Sequence, residues 1–540
     1  MIVDLHGHYA MHLAEELHPN PLRALRSAAS PASDALVRKL RASLSAEEQI
    51  RYDRHRRTRR HRVILRSLFS WINATFNYRS TASGPGVTLE LMKKGGVGVV
   101  LSPLLDPFNE FGSLPGWILA AVLPAAGGVL LGLVAVVGCG VLALLRSHTA
   151  VAVCMAQIVD CLLLTALGLL LFALLVVAFL ATLNWGASRS GSGLDELPGS
   201  PPREAYFQDL LFQLERVEND VLALSDWASV AHNYAELTEA CKARKIAVIH
   251  CVEGGFQLGA SEQSIEEHVA LLAERGVAYV TLAHLLFRRI ATNAAGIPFL
   301  SDGMYHILAH QPSEGLTKLG QAAVRAMFCN GILIDVTHMS ERAITETLDL
   351  LEQLEREYAV TTPVPVLATH IACRFGTYEY NLSAATITDI GKRNGLMGVI
   401  FCDHWMHDGP SNQDPRGERD TFEMVKKNID WIASIISTIK RPTESPHKCT
   451  AIGSDLDGFI KPMLRGLEDM AGMSYLETRL RKEYPAAAHL ILSENALRVL
   501  KSAWRRPNCE GKHKRLLALP DLEPVPGLSG SPMVLDGDAV

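Results

Sequence analysis

What most restricts this chain is a series of short apolar stretches alternating with helical patterns. The stretches are Ile2-Val3, Val97 to Leu101, Ile246 to His250, Tyr279 to Leu282, Ile332 to Asp335, Val366 to Thr369, Leu396 to Ile400 and Ala451-Ile452. Helical patterns run over Thr88 to Lys94, Tyr206 to Lys245, Ser264 to Arg275, Leu316 to Cys329, Glu341 to Glu357, Thr386 to Arg393 and Thr421 to Thr438. The stretches are continuously apolar rather than alternating, which marks strands buried on both faces, as in an all-parallel sheet covered by helices. Eight such strands interleaved with helices predict an α/β fold, a (β/α)8 TIM-type barrel.

The polar residues that end these stretches point the same way. His6, Glu253, His284, His338, His370 and Asp455 lie at or just beyond the carboxyl ends of the first, third, fourth, fifth, sixth and eighth strands. In a TIM-type barrel those ends converge on one mouth. His8 joins His6 on the same side, because strand side chains alternate with period two. Two nearby histidines are often incidental; six polar groups gathered at one pole are harder to explain that way. Imidazoles and carboxylates without thiolates suit zinc or another borderline divalent ion. The ten cysteines contain no Cys-x-x-Cys pair, and Cys139, Cys154 and Cys161 lie in apolar sequence. That argues against a disulfide framework and a thiolate zinc site, and for a reducing compartment.

Two insertions interrupt the pattern. Between Arg51 and Arg66 there are eight arginines against one acid, Asp53, with Leu68, Phe69 and Trp71 following. A solvated helix face explains such a block; the aromatic flank favours an anionic membrane surface over nucleic acid. Residues 117 to 145 carry no charge, and Cys161 to Leu183 form a second uncharged apolar run. Each exceeds the roughly 20 residues that span a bilayer, which predicts a two-helix transmembrane hairpin. Lys93, Lys94, Arg189 and the arginine block on its outer flanks, against Arg146, His148 and Asp160 between the runs, place the barrel on the cytoplasmic side by the positive-inside rule. The candidate ligands begin at residue 6, so no signal peptide is expected ahead of them. The domain division is then 1–18, first strand and metal motif; 19–86, basic insert; 87–113, second strand region; 114–185, hairpin; 186–204, linker; 205–506, remainder of the barrel; and 507–540, a disordered tail.

His6-Gly7-His8, Glu253, Asp335-Val336-Thr337-His338, Thr369-His370-Ile371-Ala372-Cys373-Arg374 and Gly453-Ser454-Asp455-Leu456-Asp457-Gly458 together resemble the motifs of the membrane dipeptidase (renal dipeptidase) family, metallopeptidases of the amidohydrolase superfamily. The resemblance covers Met1 to Leu13, Thr88 to Leu101 and Tyr206 to about Leu500, and leaves out the basic insert, the hairpin and the tail. Two positions depart from the family. His8 stands where the family usually has Asp, and Tyr380 where an Arg usually precedes the Asn-Leu that here is Asn381-Leu382.

The resemblance implies a dinuclear centre of two divalent ions, zinc above all. Glu253 would bridge them, His6, His8 and Asp455 would complete one site, and His338 and His370 the other. It further implies Asp455 as proton carrier, His284 as donor to the oxyanion, and Arg374 as partner of a dipeptide's free carboxylate. Competing readings are Asp457 as the ligand in place of Asp455, His284 as a structural histidine, and Arg374 paired with Glu379 or Asp403. His12, His404 and His407 read as surface or supporting residues. Three functions follow as expectations. They are a membrane-anchored dinuclear dipeptidase acting on a dipeptide or related small carboxylate-bearing substrate; an amidohydrolase acting on an N-acyl amino acid, lactone or phosphoester, suggested by His8; and a catalytically silent membrane-bound barrel. A homodimer is implied by the resemblance. Both insertions lie in connections that emerge at the catalytic pole, which suggests a mouth turned to the lipid surface.

Overall fold

The computed structural model describes residues 1–13, 46, 49–50, 85–105, 109–110, 203–297, 301–308, 311–407, 421–439, 444–460, 464–506 and 508–509. The arginine block and both apolar runs lie outside the described residues. Among those described, no helix is long and apolar enough to cross a membrane.

Among the described residues nine strands are present: β1 (Ile2–Asp4), β2 (Val97–Leu104), β3 (Ala228–Val230), β4 (Ile246–Glu253), β5 (Tyr279–Thr281), β6 (Leu333–Asp335), β7 (Val366–Ile371), β8 (Leu396–Val399) and β9 (Thr450–Ile452). All pairings are parallel, and β1 pairs both β2 and β9 while β2 also pairs β4. The ring therefore closes through eight strands, each at a position expected from the sequence. β3 is the ninth and lies outside the ring, paired to the start of β4 from Ala228↔Ile246 to Val230↔Val248. It replaces part of the continuous helical pattern expected over Tyr206 to Lys245, which resolves into helices Arg203–Leu222 and Tyr234–Lys242. The second of these starts at Asn233, whose side chain accepts from the Glu236 N–H.

Strand alternation sorts the core into two bodies. Val3, Val99, Ala247, Ile249, Leu367 and Ala451 fill the barrel interior. Ile2, Val100, Val248, Val252, Val366 and Ile452 face the helices. Gly398 and Gly453 line the interior where a Cβ would meet the Thr369 carbonyl oxygen at 2.0 and 1.6 Å. These glycines let β7, β8 and β9 approach closely under the mouth.

One expectation is corrected by covalent chemistry. Cys329, in helix Lys318–Asn330, is disulfide-bonded to Cys509, 180 residues later. The stretch after the last helix turns back onto helix Lys318–Asn330: the Arg505 N–H donates to the Gly331 carbonyl at 2.7 Å and the Asn508 side chain to the Phe328 carbonyl at 3.0 Å. Widely separated cysteines carry no spacing signature, so only the fold reveals the pair. Asn508 and Cys509 are thus docked, against the expectation that everything after residue 506 is a disordered tail.

Candidate metal centre

Each of the six polar residues expected at the mouth emerges where a strand ends. Glu253 closes β4, His370 lies in β7, and His6, His284, His338 and Asp455 follow β1, β5, β6 and β9 by two or three residues. His338 and Asp455 adopt the left-handed backbone region, at φ 67° and 56°. For a histidine that conformation is uncommon, and such positions gather at functional sites.

The side chains meet around Glu253, which is 1 % exposed. Its Oε1 lies 3.4 Å from His6 Nε2, 3.5 Å from His338 Nε2 and 3.5 Å from His370 Nε2. Its Oε2 lies 3.6 Å from His8 Nε2 and 3.8 Å from His284 Nε2. His8 Nε2 is 3.0 Å from Asp455 Oδ1 and 3.2 Å from His6 Nε2, while His338 and His370 face each other at 3.0 Å. Two groups, His6 with His8 and Asp455, and Glu253 with His284 and His338, each bring their donor atoms within 4.8 Å of one another; His6, Glu253 and His370 form a third. Glu253 Oε2 is buried without a hydrogen-bond partner, and burying such an oxygen unsatisfied costs about 1–3 kcal/mol or more. A metal ion would satisfy it. The donor set therefore fits divalent ions.

The support beneath the ligands fixes which nitrogen faces the centre. Thr369 Oγ1 donates its one proton to Asp335 Oδ2 at 2.7 Å, so it accepts from His370 Nδ1 at 3.0 Å and from His6 Nδ1 at 3.2 Å. The Tyr279 hydroxyl donates to the Leu5 carbonyl and accepts from His6 Nδ1 at 2.8 Å. These bonds fix a proton on each Nδ1, so Nε2 is the nitrogen left for a metal, the arrangement metal-bound histidines use. Asp335 also accepts from Thr281, Thr337 and the Thr369 backbone, which makes it the anchor of three strand ends. Asp4 does the same between the first and last strands, accepting from the Ser454 N–H at 2.8 Å and hydroxyl at 2.5 Å. Its burial, partly offset by those bonds, pushes its carboxyl up to about 6.

Charge is divided unevenly. Burial works against charge on Glu253, but His284 and His6 beside it outweigh burial and hold its carboxyl well below the usual range. Burial pushes the His338 and His370 imidazoles down, so both stand neutral and able to ligate. For His284 burial is likewise opposed, here by Glu110 and Glu253, and the imidazole is pushed up to about 9.

Glu110 is the residue that sequence reasoning missed. Fully buried, it pairs with His284 Nδ1 through one oxygen and accepts the Leu286 N–H at 3.1 Å through the other. Arg288 holds its segment by donating to the Asn109 and Glu110 carbonyls. A signal existed, since the second strand was left without a polar residue at its end, and Glu110 is the first acid after Asp106 beyond it.

Two expected assignments receive different answers. Asp457 is turned away from the histidines, its carboxylate accepting the N–H groups of Gly86 and Val87 at 2.9 and 2.8 Å. Asp455, not Asp457, meets His8. Arg374 borders the same small cavity as His338, yet its guanidinium is already engaged by the carbonyls of Tyr378, Glu379 and Asn381 and by Glu341 Oε1 at 2.9 Å. Its carboxylate partner is Glu341 rather than Glu379 or Asp403. Tyr380, the departure from the family pattern, packs edge-on against His338 at 5.0 Å between ring centres and donates to the His370 carbonyl at 2.9 Å. It steadies two ligands at once.

Comparison with known proteins identifies the family of the chain. Residues 180–509 match the family described as membrane dipeptidase, peptidase family M19. β1, β2, His6, His8 and Glu110 lie outside the matched stretch, and the closed ring brings them back to it. Dipeptidase tcpJ of Claviceps purpurea is 24 % identical over 300 residues, 55 % of this chain and 60 % of that protein. An uncharacterized dipeptidase of Schizosaccharomyces pombe is 26 % identical over 263 residues, 48 % of this chain and 53 % of that protein. The chain thus spans between half and two thirds of the length of these relatives. Among solved structures, dipeptidase AC, a metallo peptidase of family M19, overlays with a TM-score of 0.49 at 16 % identity, covering 82 % of this chain and 96 % of that one. A metallo peptidase from Rhodobacter sphaeroides, liganded with a phosphinate mimic of L-Ala-D-Ala, gives 0.48 at 16 % identity over 82 % and 97 %. With more than half of its length matched, the chain belongs to the membrane dipeptidase family, peptidase family M19.

Proposed function

We propose that this protein is a membrane-anchored, dinuclear metal-dependent dipeptidase. The observation that carries the reading is the convergence of His6, His338 and His370 on one oxygen of Glu253, at 3.4, 3.5 and 3.5 Å. Glu253 would be shared by two divalent ions, zinc by donor chemistry, with His6, His8 and Asp455 on one side and His338 and His370 on the other. When bound, such ions supply Lewis acidity, lowering the pKa of water and polarising a carbonyl. In this reading Asp455 takes the proton from the attacking water and passes it to the departing amine. His284, kept protonated by Glu110, offers its Nε2–H to the oxygen that gains charge. Hydrolysis of a panel of L,L and L,D dipeptides by detergent-purified protein, with and without zinc, tests the reading; a protein that binds zinc and cleaves none of them overturns it.

Glu110→Gln separates the role of His284 from simple packing. The wild-type imidazole carries its proton below about 9 and loses it as pH rises through that value. Without the carboxylate its proton is held less tightly, so the alkaline limb of the activity profile moves to lower pH. Above the shifted limb, where the donor is lost, kcat falls by about 10²–10³, with KM little changed. An unshifted alkaline limb would remove His284 from the chemistry.

The engagement of Arg374 by Glu341 and three carbonyls favours a second reading, an amidohydrolase whose substrate brings no carboxylate to that residue. Arg374→Ala decides between them. A charge-assisted contact is worth about 1.5–3 kcal/mol, so a dipeptidase loses roughly 10- to 150-fold in kcat/KM on dipeptides, whereas the alternative loses only loop stability.

Residues 117–145 and 161–183 supply the membrane anchor in this proposal. Their flanking charges favour a cytoplasmic barrel, while the Cys329–Cys509 disulfide is the chemistry of an oxidising compartment. Maleimide labelling of these two cysteines in intact cells, before and after reduction, separates the two placements.

A further inference from the structure

Strand β4 carries a second histidine on its other face. Ala247, Ile249 and Cys251 belong to the barrel interior and Val248 and Val252 to the helix layer, so His250 points outward between them. It is fully buried, and neither ring nitrogen has a hydrogen-bond partner. Burying an imidazole that way is costly unless something completes it.

What faces it is another pair of ligand types. His250 Nε2 lies 3.6 Å from Glu218 Oε1, carried by helix Arg203–Leu222. The same oxygen lies 3.4 Å from Nε2 of His232, two residues beyond β3. All three donor atoms fall within 4.8 Å of one another. Around a tetrahedral zinc with ligands at about 2.0–2.2 Å, neighbouring donors stand about 3.3–3.5 Å apart, which both carboxylate edges approach without rearrangement. The surroundings are those of a built site. His232 turns its Nδ1 to Glu236 Oε2 at 2.8 Å, the outer carboxylate that metal-bound histidines use to fix their tautomer. Arg275 holds the other Glu218 oxygen at 3.0 Å, leaving Oε1 for the centre of the cluster. A plain ion-pair network accounts for His232 and Arg275 but leaves His250 unsatisfied.

We propose that Glu218, His232 and His250 form a separate structural site for one zinc-like divalent ion, its fourth position open to water. The site lies behind β4, in the helix layer, and staples β3 and helix Arg203–Leu222 to the strand that carries Glu253. It is independent of the reaction proposed for the mouth.

The test is the metal content of full-length protein after equilibrium dialysis against buffered zinc, compared with His232→Gln and His250→Gln. Each variant is expected to hold one zinc fewer than wild type, the double variant to lose no more than that one, and zinc to raise the melting temperature of wild type more than of either variant. His232 is partly exposed, so its replacement carries the test if His250→Gln fails to fold. Equal zinc content in His232→Gln and wild type overturns the proposal. So does loss of two or more ions from that variant, which would tie the cluster to the mouth.

Discussion

Glu253→Gln is expected to empty the mouth of metal and abolish hydrolysis. Five imidazoles lie within 3.8 Å of this one carboxylate, and His6 and His284 are drawn towards their charged forms by it. Removing one partner of a buried ion pair costs about 3–5 kcal/mol, so the metal-free variant also unfolds at lower denaturant concentration. The loss is limited if His6 and His284 deprotonate instead. Because Glu253 raises both imidazoles, its stabilising contribution is present at low pH and fades as pH rises through their folded values, about 9 for His284. Wild type and variant should therefore converge in stability at alkaline pH. A variant that keeps both ions and loses less than tenfold in activity would show that Glu253 is not the shared ligand.

The second large effect is expected at Asp455→Asn. The substitution preserves shape and a hydrogen-bonding oxygen 3.0 Å from His8 Nε2 but removes the ability to accept a proton. Loss of a positioned general base costs about 10²–10⁴ in rate, and the drop should fall on kcat in protein shown to be metal-replete. Asp457→Asn serves as the contrast, since Asp457 holds the backbone of Gly86 and Val87; its loss should lower stability with a far smaller change in kcat. Equal kinetic effects of the two substitutions would reassign the proton carrier.

The barrel was legible because parallel strands buried on both faces leave unbroken apolar runs, and its mouth because the polar residues ending six of those runs are conspicuous against them. β3 was not legible: Ala228-Ser229-Val230 is too short for a pattern, and two of its three residues are only partly buried. Glu110 was hidden by the same logic that revealed the others, since it reaches His284 from six residues beyond β2 rather than from the strand's end. The partner of Arg374 could not be read from neighbouring acids, because Glu341 comes from the start of the preceding helix, 33 residues earlier. Cys329 and Cys509 have no local signature at a separation of 180 residues. Elements set by local periodicity were readable; pairings set by tertiary closure were not.

The contact between His8 and Asp455 joins residues 447 positions apart, and β1 closes on β9 at the same place. At ribosomal rates of 5–20 residues per second, about 20 to 90 s separate the synthesis of these two side chains. Throughout that interval β1 has one partner edge bare, and an unpaired parallel edge invites association with other chains. Any chain released before Ile452 would keep that edge and lack Asp455, so it could neither complete the metal set nor hide the strand. Binding of a metal by the His6, His8 and Asp455 group would therefore require that translation had run past the last strand.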